Sequence, residues 1–339
     1  MQTIFHPKRS VIRRAIGGGV LFLGVLSLTG CMLPHEAARV RLQKGEEALQ
    51  EQDVQAALAE FREAVRLDPE LVDGHRRLGE LYKQTGDLAH AADALENAVR
   101  LDPCDFNSTF DLGEVYQLLK DFSKAVKAYM QAIKLDPKQF EPRYRLATLY
   151  HQTGELEPAI EQYEAALKID DRNPQAWSNL GAAYDSRGEM YEAISAYKRS
   201  LECDSEQPVV LVNMATLFIN QERYKTAMST LQTALKMDPN LSYAHERLGY
   251  CLFIEQRFDE AADSYRKAID LNKQNAKAYA GMGVVRMMQY IKNPDLADYR
   301  EQAIESWHRS LELDPNQPKL VELIEKYRIK REKPLLTIE

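Results

Sequence analysis

The sequence predicts an all-α protein, a right-handed α-solenoid (superhelix) of eight helix-turn-helix units with a C-terminal capping helix, and three observations carry that expectation. A boundary tripeptide recurs every 34 residues as Leu67-Asp68-Pro69, Leu101-Asp102-Pro103, Leu135-Asp136-Pro137, Ile169-Asp170-Asp171, Cys203-Asp204-Ser205, Met237-Asp238-Pro239 and Leu271-Asn272-Lys273. It returns once more after 42 residues as Leu313-Asp314-Pro315, an insertion of eight. One column holds only small residues: Gly45, Gly79, Gly113, Ala147, Gly181, Ala215, Gly249 and Gly283. Another is alanine eight times, at 57, 91, 125, 159, 193, 227, 261 and 303. With alanine at about one position in ten, that run has a chance of roughly one in a hundred million. Antiparallel helices approach closely only where both contribute almost no side chain, so these columns mark helix crossings.

The N-terminus is a separate object. Lys8, Arg9, Arg13 and Arg14 precede an apolar stretch at 15–28, too short to span a bilayer comfortably as a helix. This reads as a signal peptide over residues 1–30. Leu28-Thr29-Gly30-Cys31 resembles the lipobox of bacterial lipoproteins, which implies that Cys31 becomes the first mature residue and carries the lipid. Met32 stands where, in those lipoproteins, an aspartate retains the protein in the inner membrane, so the resemblance implies the outer membrane and a periplasm-facing chain. A lipidated tether at 31–37 reaches at most roughly 20 Å and keeps the repeats near their membrane.

Repeats are expected at 38–71, 72–105, 106–139, 140–173, 174–207, 208–241, 242–275 and 276–317. Trp177-x-x-Leu180-Gly181-x-x-Tyr184 followed by Ala193-x-x-x-Tyr197 resembles the tetratricopeptide signature almost letter for letter. Leu78 and Tyr82, Leu112 and Tyr116, Leu146 and Tyr150, and Leu180 and Tyr184 lie four apart on first helices. Phe61, Leu95, Tyr129, Tyr163, Tyr197, Leu231, Tyr265 and Trp307 fill one column of the second helices. Gly86, Gly154 and Gly188 supply the permissive residue between helices, and the proline column ends the second one. In the insertion at 288–299, Asn293 is expected to cap and Pro294 to open an extended second helix. A capping helix at 318–329 turns Leu320, Leu323, Ile324 and Tyr327 to one side, and 330–339 is a tail.

The tetratricopeptide resemblance implies that first helices line a concave groove that meets ligands. In repeats two to five the implied positions are mostly polar, including Arg76, Glu80, Lys83, Asp111, Glu114, Arg145, Asn179 and Asp185. Repeats six and seven instead offer Val209, Val212, Asn213, Ile219, Tyr243, Arg247, Tyr250, Phe253 and Ile254, an apolar and aromatic patch. On this reading Val212, Ile219, Tyr243, Tyr250 and Phe253 anchor a partner, Asn179 and Asn213 meet its backbone, and Arg145 and Arg247 take a carboxylate. The alternative is that superhelical curvature, or the insertion in repeat eight, buries the patch.

Net charge is −7, and −11 once the four cations of residues 1–30 are removed, which disfavours nucleic acid. Hydrophobic residues at 45% supply a long core. Cys104, Cys203 and Cys251 make no disulfide framework, and Cys203 and Cys251 fall in helix columns expected to be buried. The scattered histidines match no metal spacing, with His75 and His245 in the column of Trp177. No phosphate loop or nucleophile elbow is present, so neither cofactor, metal nor catalysis is expected. The resulting expectation is a membrane-anchored adaptor that binds envelope proteins or peptides in its groove, as in assembly of pilus, secretion or polysaccharide-export machinery. A recruiting arm of an envelope enzyme and a saccharide-binding module stay open beside it, as does the oligomeric state.

Overall fold

The structure, a computed structural model, describes residues 33–327, all of whose regular elements are helices. The signal segment, Cys31 and the tail lie outside the described residues. Chain contacts divide at Gly74 and His75 into two compact units.

In the N-terminal unit, α1 (Pro34–Gln50) pairs with α2 (Val54–Leu67) and the chain then enters α3 (Val72–Thr85). Helix α1 starts inside the segment assigned to the tether, with Pro34 at its first position, where the missing N–H has no intrahelical partner to lose. Ala38, Ala64 and Leu71 form one buried cluster of this unit with Leu42 and Leu67 against them, and Ala57 and Phe61 are buried beside it in sequence.

The larger unit contains the rest of α3, with α4 (Leu88–Leu101), α5 (Phe106–Leu118), α6 (Phe122–Leu135), α7 (Phe140–Thr153) and α8 (Leu156–Leu167). There follow α9 (Pro174–Arg187), α10 (Met190–Cys203), α11 (Pro208–Asn220), α12 (Tyr224–Met237), α13 (Ser242–Ile254) and α14 (Phe258–Leu271). The end is α15 (Ala276–Lys292), α16 (Ala297–Leu313) and α17 (Pro318–Tyr327). From α4 onward each helix packs on its sequence neighbour, and first helices also touch the next first helix, as α7 on α9, α9 on α11, α11 on α13 and α13 on α15. That second set of contacts makes the first-helix side the inner face of the stack.

The small column lies where expected. A Cβ on Gly113 would stand 2.7 Å from the Tyr129 ring, and one on Gly181 2.7 Å from that of Tyr197. Those large second-helix side chains are buried, Tyr129 at 0% exposure and Trp307 at 1%. The boundary column has a plainer cause than proline. In every repeat the Asp or Asn side chain accepts a hydrogen bond from the N–H two residues on, from Glu70 to Asp68 at 3.0 Å through Asn316 to Asp314 at 3.1 Å. Repeats ending in Asp171, Ser205 and Lys273 therefore turn without the proline. Two repeats replace an alanine of the second helix by serine, and each compensates with a glutamine seven residues later: Ser200 bonds Gln207 and the Pro174 carbonyl, Ser310 bonds Gln317 and the Ala276 carbonyl.

Between the helices of one repeat the chain takes a left-handed residue, glycine at 86, 154 and 188 with φ of 81°, 83° and 86°. The same turn is made without glycine by Gln52, Lys120, Glu222 and Gln256, at φ from 58° to 62°. In all seven, the following N–H reaches back five residues, as Asp87 to Tyr82 at 2.9 Å and Asp121 to Tyr116 at 2.9 Å, closing the preceding helix.

The insertion lengthens both helices of its repeat, to 17 residues each, rather than the second alone. Asn293 closes α15 and accepts from the Asp295 N–H at 3.2 Å, Pro294 lies in the connecting turn, and α16 begins only at Ala297; the expected cap at Asn293 and opening at Pro294 are thereby corrected. The Asx turn satisfies Asn293 locally and leaves it no reach to α16. The added length places Arg300 where its guanidinium donates to the Tyr327 carbonyl at 2.9 and 2.7 Å, tying down the last turn of α17. Leu320 and Ile324 of α17 pack with Met287, Ala303 and Trp307, sealing the stack.

Candidate functional site

The inner face of the larger unit has two stretches of different character. Along α3, α5 and α7, charges neutralise one another. Lys83 Nζ donates to Asp111 at 2.5 Å and to Glu114 at 2.8 Å, while Arg145 pairs with Glu141 at 2.8 Å and Glu114 at 3.5 Å. Burial raises the Asp111 carboxyl above the usual carboxylate range, with the Lys83 hydrogen bond opposing. A cleft of about 500 Å³ borders this ladder, lined also by Gln117, Phe122 and Gln152. Any ligand there competes with ion pairs already made, so Arg145 is not the free carboxylate receptor that its position suggests.

Asn179 and Asn213 hold equivalent places on α9 and α11. Asn179 Nδ2 donates to the Tyr144 hydroxyl at 2.9 Å. The buried Tyr163 hydroxyl, from the preceding second helix, donates to Thr148 Oγ1 at 3.2 Å. Asn179 is thus held by Tyr144 with its carbonyl and one N–H left over.

The expected apolar patch is only partly on the surface. Val212 is 1% exposed and Ile219 9%, and both belong to the cluster built from α10 through α15. Neither lines an open groove. The contact of α11 with α9 and α13 covers them, which is the curvature effect that periodicity along one helix does not report. Tyr243 and Tyr250 do stay exposed, at 37% and 39%, and Tyr250 stands edge-on to Tyr224 at 6.3 Å. Phe253 is half-buried against Phe258 at 5.8 Å, with exposed Ile254 beside it.

Among these groups lies a second set of charges. Burial raises the carboxyl of Asp185 on α9, and likewise that of Glu246 on α13; in each case the positive field of Arg247 opposes the shift, joined at Glu246 by that of Lys277. Arg247 therefore acts on carboxylates two repeats apart, yet no direct ion pair joins it to either. Carboxylates held partly out of water beside a guanidinium that closes no ion pair with them are costly to keep ionised. Sequence spacing places these residues on the inner face, and only the fold distinguishes them from the paired set.

The cysteines divide differently from expectation. Cys251 is buried, and burial pushes its thiol up to about 12. Cys203 and Cys104 are exposed, since α10 ends at Cys203 and its last turn leaves the core column. Burial and the Asp171 carboxylate raise the Cys203 thiol too, which disfavours a reactive thiolate. His245 is buried and bonded to the Pro239 carbonyl at 3.0 Å, a packing role. Among the described residues, no group of potential ligands gathers to hold a metal, and no helix is long and apolar enough to cross a membrane.

Among solved structures, a tetratricopeptide repeat protein from Parabacteroides merdae is 18% identical over 76% of this chain and 98% of that one, with a TM-score of 0.55. One in the Cut9–Hcn1 hetero-tetramer of the APC/C is 18% identical over 89% of this chain and 58% of that one, at 0.54. MamA is 26% identical over 50% of this chain and 93% of that one, at 0.49. Curated proteins offer no match. The tetratricopeptide-repeat profile matches residues 42–106, and that of the C-terminal tetratricopeptide domain of cilia and flagella-associated protein 70 matches 105–282, more than half of the chain. Neither profile describes an enzyme. With its repeated helical pairs, its small-residue crossings and these matches, the chain belongs to the tetratricopeptide-repeat family.

Proposed function

We propose that this protein is a non-catalytic adaptor of the cell envelope, tethered by a lipid on Cys31, that holds a peptide segment of a partner along the inner face of repeats five to seven. The supporting observation is the set of desolvated carboxylates, Asp185 and Glu246, around Arg247, with exposed Tyr243 and Tyr250 alongside. An extended peptide fits that chemistry. Its backbone meets the amides of Asn179 and Asn213, an acidic group or C-terminus meets Arg247, basic side chains meet Asp185 and Glu246, and an apolar side chain packs on the tyrosines. The lipobox-like Leu28-Thr29-Gly30-Cys31 and the residue Met32 support anchoring, and the outer membrane as its place.

The two parts are tested separately. Metabolic labelling with a palmitate analogue is expected to mark the wild type and not Cys31→Ala; an unlabelled wild type would remove the anchor. A photo-reactive residue at Tyr250 is expected to cross-link a discrete envelope protein in cells, whereas one at exposed Lys236 of α12 is not. Equal cross-linking from both positions would remove the groove.

A further inference from the structure

A second concavity lies away from the inner face, where α8, α9 and α10 meet. It encloses about 400 Å³, floored by Trp177, Leu180 and Tyr184 of α9, with Leu167 on one side and Ala196 on the other. Local sequence explains the opening. Helix α8 ends at Leu167, giving 12 residues where α4, α6, α10, α12 and α14 have 14. Ser195 and Ala196 form a small, uncharged wall, whereas Glu161 and Gln162 hold the same places one repeat earlier. Trp177 therefore stays half-covered, its Nε1 held by the Asp171 carbonyl at 2.8 Å, so that the ring is fixed and its outer surface open. Tyr191, one turn from Ser195 on the flank of that face, is 79% exposed.

The rim has a sign. Helix α8 carries Glu157, Glu161 and Glu164 at spacings of four and three, hence on one stripe, and has no cation within its span. Glu192 faces them from α10, against Lys168 alone among the lining residues. Glu157, Glu161, Glu164 and Glu192 have no ion-pair partner among the described residues; Glu164 accepts only the Tyr184 hydroxyl at 2.6 Å. Fixed aromatics beside small residues under an acidic rim are the features of an anchor pocket.

We propose that this groove is a second docking site, for an amphipathic protein segment that inserts a bulky apolar side chain over Trp177 and lays flanking lysines or arginines along Glu164 and Glu192. It is independent of the inner-face reading. One scaffold then holds two partners, one in this groove of repeats four and five and one on the inner face of repeats five to seven.

Tryptophan emission reads it directly. The chain has two tryptophans, and Trp307 is 1% exposed in the core, so a change on titration reports Trp177. The probe is an 18-residue amphipathic peptide of leucine and lysine, set against the same pattern with glutamate for lysine. A saturable blue shift with the lysine peptide alone is expected, weakening by at least about tenfold in Ser195→Arg, which fills the groove with a cation, and by about as much in Glu164→Lys combined with Glu192→Lys. These positions are exposed, so the variants fold. No saturable shift, equal shifts with both peptides, or a shift unchanged in Ser195→Arg would each overturn the proposal. So would a response lost in Arg247→Ala and kept in Ser195→Arg, which places the peptide on the inner face.

Discussion

The inner faces of repeats two to four and of repeats five to seven are built from the same column positions, yet their charges are spent differently. In the earlier stretch, Lys83 and Arg145 are enclosed by Asp111, Glu114 and Glu141 in a chain of ion pairs from helix to helix. In the later stretch Arg247, Asp185 and Glu246 feel one another without closing a pair, and tyrosines stand open beside them. Electrostatic complementarity satisfied within the chain contributes to stability, and complementarity left open contributes to recognition. Composition alone does not separate the two cases.

The contrast is breakable. Lys83→Met leaves part-buried Asp111 without its cation and Glu114 with Arg145 alone, which is expected to cost about 1–3 kcal/mol of stability in a urea titration. Partner binding should be unaffected, so a variant as stable as the wild type would show that the ladder is ornamental. Arg247→Ala is expected to behave differently, with a smaller midpoint shift than Lys83→Met and affinity for the cross-linked partner down about tenfold, or about 1.4 kcal/mol. A stability loss with intact binding would turn the comparison upside down.

Glu246 sharpens it further. Burial holds its folded-state pKa above the ordinary value, so ionisation opposes folding at neutral pH, and this cost fades as pH falls through the raised pKa. Glu246→Gln should therefore melt above the wild type at neutral pH, with the gap closing in mild acid. A gap that widens on acidification contradicts the assignment.

The smallest expected effect concerns turns. Lys120, beside the paired ladder, and Gln256, beside the open stretch, both sit at positive φ without being glycine. Relief of left-handed strain, about 1–2 kcal/mol, is partly offset by the flexibility glycine adds to the unfolded chain. Lys120→Gly and Gln256→Gly should each gain about 0.5 kcal/mol, read by the same titration. Destabilisation of either would mean that its side chain does more than turn the chain.

Much of the architecture was legible because it is local and repeated. Glycine and alanine at fixed intervals reveal a crossing before any coordinate is known, and Trp307 can be assigned to the core from its column alone. What escaped spans repeats. Val212 and Ile219 look like groove residues on a helical wheel, but α9 and α13 close over them, a contact set by the angle between successive pairs and absent from any single period. Arg145 and Arg247 likewise occupy equivalent positions and differ only in which neighbours reach them. The left-handed turns at Gln52, Lys120, Glu222 and Gln256 were hidden for another reason: the surrounding helices enforce the conformation that those residue types disfavour. Asn293 and Cys203 mark the remaining gap, since helix ends depend on caps that shift by a turn without changing the pattern.

The most direct measurement titrates the partner captured from Tyr250 against wild type, Arg247→Ala and Arg145→Ala in parallel. The result expected is about tenfold weaker binding for Arg247→Ala, with Arg145→Ala indistinguishable from wild type. Loss of affinity in Arg145→Ala with Arg247→Ala unchanged would place the partner on the paired ladder and contradict the division of the inner face.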